Sequence, residues 1–355
     1  MKDFPITVKR SLELLGLFLL GYIIMVASNV IMPLLLAFFL SMLLLPVQRF
    51  LMRKRVPKSL SIIIPILFLL LVVAGLIWFF SAQVQILVDD FPQIKKNINI
   101  HLDTLSKWVG SFTHYSTKEQ IAIITKQSDK LLNSTGAILG SIAGSVSGAF
   151  IFFGLLPIYI YLILAYKNLL LKFCIMWFSN EDLPKVKESI QQIESIIQSY
   201  LMGLLIQIAY ITVLLGGILW IVGIKHALLI GVLFAILNLI PYIGALFGNI
   251  LGVMLTVSSS QELWPVFTVL IVIAVVQFLD NNILMPRIVG SKVQINSLVA
   301  IVGIVIAGSL AGISGMFLAL PIIAVLKIVF DRTEHFKQWG VVIGTDVPEE
   351  NPLKE

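Results

Sequence analysis

Apolar positions in this chain come in long unbroken runs. Leu12–Ser28 and Val30–Val47 are parted only by Ser28 and Asn29, with Pro33 close behind, and this spacing predicts a tight helical hairpin. Leu60–Phe80 follows, then a run through Tyr166, then Met202–Val222 and Pro265–Met285. About 20 consecutive apolar residues carry a helix across the hydrocarbon core of a bilayer. Two further runs, Ala227–Val257 and Ser297–Lys327, are each about 31 residues long, too long for one upright span. The pattern predicts an all-α, polytopic membrane protein with about six full spans and two broken or re-entrant helical hairpins.

Residues 82–142 differ. They are rich in Asp, Lys and Glu, and their apolar positions recur at helical spacing: Leu102, Leu105, Trp108, Val109 and Phe112, then Ile121, Ile124, Leu131 and Leu132. This is the signature of a small amphipathic helical insert outside the bilayer. Gly136, Gly140, Gly144 and Gly148 fall every fourth residue and share one face, where small residues allow close helix approach in lipid. Asp182 and Pro184 open another amphipathic helix, with Ile190, Ile193, Ile196 and Ile197 on one face, expected to lie on the membrane surface.

Composition agrees with a lipid solvent: 58% of residues are hydrophobic and 12% charged, half the charge of an ordinary soluble domain. The net charge of +6 is gathered at the ends of the apolar runs. Arg49, Arg53, Lys54, Arg55 and Lys58 crowd one loop, which the positive-inside tendency assigns to the cytoplasm, together with Lys2, Lys9 and Arg10. Both termini are expected on that side. No basic stripe with interleaved aromatics points to nucleic acid. The single cysteine, Cys174, cannot form an intrachain disulfide. No His-Glu-x-x-His, Gly-x-Ser-x-Gly or phosphate-loop motif points to an enzyme or to ATP-driven pumping, and neither a cofactor nor a metal is implied. The expected organisation is a three-span region over 1–81, the external insert over 82–142, and a span plus surface helix over 143–200. A transport core of two span-plus-hairpin repeats over 201–330 and a cytoplasmic tail over 331–355 complete it.

The long C-terminal runs hold the candidate chemistry. One is interrupted at Asn238-Leu-Ile-Pro241-Tyr242-Ile-Gly244, the other at Gly308-Ser-Leu-Ala-Gly312-Ile-Ser-Gly315. Pro241 lacks a backbone donor and biases Ile240 away from helix. Hairpins at both places keep Arg287 and Lys292 on the cytoplasmic side with Glu262 outside, and they set the two repeats in inverted orientation. Interrupted segments in corresponding positions of two halves mark the substrate site of many secondary transporters, because freed backbone groups can hold a solute or an ion. Asp280 lies near the end of an apolar span, with Gln277 and Asn281 within one turn. It reads either as a coupling site for H+ or Na+ or as a structural partner of Arg287. Gln207 and Asn238 are polar residues inside spans, of the kind that join helices.

At these motifs the chain resembles the AI-2E family of transporters. The resemblance rests on Asn238 through Gly244, on Gln277 through Asp280, and on Asn282 to Pro286 with Gly290. It extends over Gly308 through Gly315 to Ala319-Leu-Pro321, and over the early hairpin, basic loop, insert and helix before Tyr200. It implies a bacterial inner-membrane permease, homo-oligomeric, exporting a small polar molecule such as the quorum signal autoinducer-2. Other members of the family are associated with Na+(Li+)/H+ antiport, a second reading in which Asp280 would hold the cation. A reading from another class is an envelope scaffold that binds partners through the insert.

Overall fold

The computed structural model describes residues 5–110, 146–241, 243–284, 287, 295–333 and 336–345. Much of the external insert (111–142), Gly136, Gly140, Gly144 and Tyr242 lie outside the described residues. The protein is an all-α polytopic membrane protein, with no strand among the described residues. Among the described residues, six helical stretches are long and apolar enough to cross a membrane: Ser28–Arg53, Lys58–Gln83, Gly154–Ile175, Leu183–Ile221, Trp264–Leu284 and Ser297–Asp331. Their flanks are apolar and exposed: Trp78 is 75% and Ile221 79% accessible. In water such surface would drive association, whereas hydrocarbon solvates it.

The chain forms two compact units. One comprises Met1–Phe68, Phe152–Gly203 and Val289–Glu355, the other Leu69–Ile151 and Leu204–Ile288. The expected core over 201–330 is thus divided: the first repeat and the span Pro265–Met285 fall almost wholly in the second unit, and the broken segment Ser297–Lys327 in the first.

Helix α3 (Lys58–Asp89) enters the second unit at Leu69 and leads into the amphipathic α4 (Phe91–Gly110). Helix α6 (Leu183–Ile211), which joins this unit from Leu204 onward, continues through a π-helical turn, Thr212–Gly216, into the short α7 (Gly217–Ile221). Next comes a hairpin of α8 (Ala227–Leu237) and α9 (Ile243–Ser259), arms of about 16 and 25 Å at 1.5 Å per residue. The arms run antiparallel: Gly252 faces Ile230 and Gly248 faces the Phe234 ring. Helix α10 (Trp264–Leu279) closes the unit and ends in a second π turn, Asp280–Leu284. Ile211, Leu215 and Leu219 pack with Ile230, Phe234, Val269, Ile273 and Val276, all at most 2% exposed. These stripes at three- and four-residue spacing bind α6, α7, α8 and α10 into one core.

In the first unit, α1 (Ile6–Val26) and α2 (Ser28–Arg53) meet at Ala27, one residue before the expected polar break. α5 (Val146–Ile175) follows. The long α11 (Ser297–Asp331) is non-helical at Ala311 and Gly312. In a straight helix Gly303 and Ile323 would stand about 30 Å apart, yet a Cβ on Gly303 would lie 3.5 Å from Ile323 Cγ1. α11 is thus also a hairpin, with arms 297–310 and 313–331. Its first arm rests on α1, where Gly21 faces Leu310. The helix expected on the membrane surface is not separate. α6 passes through Tyr200 without interruption, and Ile193 and Ile196 of its apolar stripe pack on Ala324 and Ile328 of α11. Burial against protein removes that stripe from solvent without any need for lipid.

Candidate functional site

Two turns of backbone chemistry build the break between α8 and α9. Leu239 and Ile240 donate to Ile236 and Leu237 over only three residues, which tightens and ends α8. Pro241 can donate nothing, and Gly244 N–H restarts the ladder by bonding Ile240 O at 3.1 Å. The chain doubles back so closely that a Cβ on Gly244 would collide with the backbone of Leu237 and Asn238. Only glycine fits this crossing. Asn238 is thereby fixed at the end of α8, at the tip of the hairpin.

Close packing then brings that tip to α6. A Cβ on Gly231 would sit 2.7 Å from Gly216 N, so α8 and the π turn touch almost backbone to backbone. Gln207 and Tyr210, three residues apart on α6, share the face beside the tip. From α10 comes Asp280, the first residue of the second π turn and only 1% exposed.

Four side chains converge. Gln207 Nε2 donates to Asp280 Oδ2 at 2.9 Å and Asn238 Nδ2 donates to the same oxygen at 3.0 Å. The Tyr210 hydroxyl donates to Oδ1. A buried carboxylate is costly in a membrane interior unless it is paired or hydrogen-bonded. Here three neutral donors stabilise it, and no cation is bonded to it among the described residues. The pairing with Arg287 weighed from the sequence is not formed, and Arg287 is exposed. The amide oxygens of Gln207 and Gln277 are buried without a hydrogen-bond donor. The cluster therefore presents the Asp280 carboxyl group and the free acceptor of Gln207, with that of Gln277 one turn before Asp280 on α10, a set suited to a proton, a small cation or the hydroxyl groups of a polar solute. Both α6 and α10 carry π turns beside it, a feature frequent at functional sites because the widened turn redirects side chains and loosens the backbone ladder.

Of the residues singled out from the sequence, Asn238, Asp280 and Gln207 meet directly, Gln277 lies one turn before Asp280, and Pro241 and Gly244 shape the tip. Asn281 is exposed and makes no hydrogen bond to Asp280. Gly308, Gly312 and Gly315 belong to α11: Gly312 makes its break, whereas Gly308 and Gly315 lie in the arms, against Met316 and Ala307. Tyr210 was missed. Its three-residue offset from Gln207 was the available signal, since it puts both on one helical face.

The other end of the α8–α9 hairpin is held by the start of the insert. Asp90 pairs with Lys225 at 2.7 Å and approaches His226 Nε2 at 3.4 Å. Asn97 donates to Ser258 O at 2.9 Å, and His101 Nε2 lies 2.8 Å from Ser260 O. The hydrogen bond from Lys225 holds Asp90 below the usual carboxylate range, against the opposing effect of burial. Burial, together with the Lys225 charge, lowers His226 below the ordinary imidazole value, while Asp90 pulls the other way.

The family described as AI-2E family transporter matches residues 14–335 of this chain. Among similar proteins are YrrI and YueF of Bacillus subtilis (strain 168), both named as candidate transport proteins. YrrI is 27% identical over 88% of this chain and 90% of its own length, and YueF 28% identical over 85% and 84%. The AI-2 transport protein TqsA of Escherichia coli (strain K12) is 24% identical over 89% of this chain and 90% of its own.

Proposed function

The chain belongs to the AI-2E family of transporters, and from that premise we propose that it is a secondary carrier exporting a small polar molecule, such as autoinducer-2, across the bacterial inner membrane. The observation that carries this reading is Asp280: a carboxylate buried among neutral donors, at the tip of a helical hairpin broken at Asn238–Pro241. A solute rich in hydroxyl groups can donate to Asp280 and to the free oxygens of Gln207 and Gln277, while the broken ends of α8 and α9 supply backbone groups. Neutralising or displacing the charge of Asp280 weakens the three bonds that hold Asn238, so occupancy of the site and the position of the hairpin tip are coupled. In this reading the hairpin is re-entrant and both termini face the cytoplasm.

The test is transport by the purified protein in liposomes, with autoinducer-2 and a panel of small polar solutes under imposed pH or Na+ gradients. Saturable flux of one solute is expected, reduced at least about tenfold, the rate equivalent of ~1.4 kcal/mol, by Asp280→Asn. Flux indifferent to that substitution, or none under any gradient, would overturn the reading. Cation-driven proton movement without a solute would favour antiport.

A further inference from the structure

A groove of about 450 Å³ opens in the first unit where the ends of α2, α5 and α6 meet. Its apolar wall is Leu171 and Ile175, one turn apart in the last stretch of α5, with Ile190 of α6. Arg49 and Lys187 also line it. Because α5 from Gly154 to Ile175 is apolar enough to cross a bilayer, this groove lies where a span ends and headgroups begin.

The charges around it do not balance. Glu194 lines the groove, but its carboxylate is already taken: Arg49 grips it through two nitrogens at 2.6 and 3.2 Å, and Gln198 donates at 3.1 Å. Arg49 carries five N–H groups, and its side chain remains half exposed. Lys187 is exposed and has no partner among the described residues. Close by, Lys58 and Lys167 bond only neutral oxygens, Ala165 O at 2.9 Å and Gln48 Oε1 at 3.4 Å. Arg49 and Lys187 thus share the groove with one carboxylate, and Lys58 and Lys167 add positive charge beside it. The floor is polar, with Gln191 and Ser195 beside Lys187.

We propose that this groove binds the headgroup of an anionic phospholipid. The phosphate would be held by Lys187 and the free donors of Arg49, and an acyl chain would run along Leu171, Ile175 and Ile190. Basic pockets between helices at a membrane boundary suit such headgroups because a fixed cation there meets its counter-ion at low dielectric. The volume falls within the range of small-ligand sites. Apolar wall and surplus charge together select an amphiphile: a soluble phosphate has no use for the wall, and a neutral lipid none for the cations. The assignment does not depend on the carrier reading, since it concerns other residues and needs no transport.

The test uses the purified full chain in detergent, titrated with phosphatidylglycerol, phosphatidylcholine or glycerol phosphate and read by native mass spectrometry. Phosphatidylglycerol is expected to be retained in preference to phosphatidylcholine. Lys187→Gln, at an exposed position, weakens that binding about fivefold, the worth of one cation near a charged lipid surface. Ile190→Trp fills the groove and removes the preference without changing any charge. Equal retention of the two lipids, binding unweakened by Lys187→Gln, a preference that survives in Ile190→Trp, or glycerol phosphate bound as tightly as the whole lipid would each overturn the proposal.

Discussion

The two hairpins of this chain solve one problem with different chemistry. Each turns an apolar segment back on itself, α8–α9 around Asn238–Pro241 and α11 around Ala311–Gly312. Each has its open end tied down. For α8–α9 the ties are Asp90, Asn97 and His101. For α11 they are Asn296, which caps the first arm by accepting from Val299 N–H and donates to Val342 O and Gly344 O beyond the short α12 (Lys337–Ile343), and Arg332, which holds Glu188 and Gln192. Only the first hairpin brings a polar side chain from its break to a buried carboxylate. The second turns on glycine stereochemistry: Gly312 has φ 60° and ψ −145°, a region nearly closed to other residues, and no charged residue lies between Ser297 and Leu326. The architecture is shared, but a buried carboxylate meets only the break at α8–α9. That acidic partner distinguishes the two breaks.

The sharpest way to break this comparison is to substitute the crowded glycines. Gly244→Leu and Gly315→Leu force a side chain into backbone, and each is expected to cost about 3 kcal/mol or more, read as a lower melting temperature in detergent. Equal tolerance at both would mean the hairpins are not closely packed. Next is Asp280→Leu. It leaves the donors of Gln207, Tyr210 and Asn238 buried without an acceptor, at about 1–3 kcal/mol for each group that finds no new partner. Thermal unfolding should show the loss alongside the loss of flux.

A crossed pair then separates stability from function. Gly312→Ala meets no neighbour within 4 Å, so its cost is backbone strain alone, about 1–3 kcal/mol, with flux per folded molecule preserved. Asn238→Ala removes one hydrogen bond, about 1 kcal/mol, yet should lower flux far more than Gly312→Ala does. The reverse ranking would move the site to α11.

The smallest effect is expected at the tie of the first hairpin. Burial lowers His226, so folding disfavours its charged form. Stability from this group is full above the unfolded value of about 6.5 and declines as pH falls through it. Asp90 is lowered too, but its contribution is present above about pH 4 and is lost only as pH drops through its depressed value. A melt series from pH 7.5 to 5.5 should therefore show a small decline that disappears in His226→Asn, a residue that accepts the left-handed backbone (φ 62°) found there.

The residues of the site were differently legible. Asp280 stood out because a carboxylate in an apolar run has few explanations. The break at Pro241 was readable because proline lacks a donor, and Gly312 was found within a wider glycine-rich window. The three partners of Asp280 were beyond reach as a set: Gln207 and Asn238 lie 73 and 42 residues away in sequence, and nothing local says which polar side chains of different helices will meet. Tyr210 looked like one more aromatic in a span. The stripe over Ile190–Ile197 is apolar as its spacing predicts, but Ala324 and Ile328 cover Ile193 and Ile196, and a stripe does not state whether lipid or protein will bury it.

What the amino-acid order determined alone was the solvent of each segment. Hydropathy, proline and glycine act over one or two turns, and they fixed which stretches enter the bilayer, where two of them fold back, and where charge stays outside. Tertiary structure decided everything that needs distant elements to touch. It placed Asp280 against Gln207, Tyr210 and Asn238, left Arg287 free of it, and assigned the two hairpins to separate units. Those outcomes follow from how closely helices approach, set by contacts such as Gly231 on Gly216, and such contacts depend on the summed shape of whole surfaces, which no local pattern records.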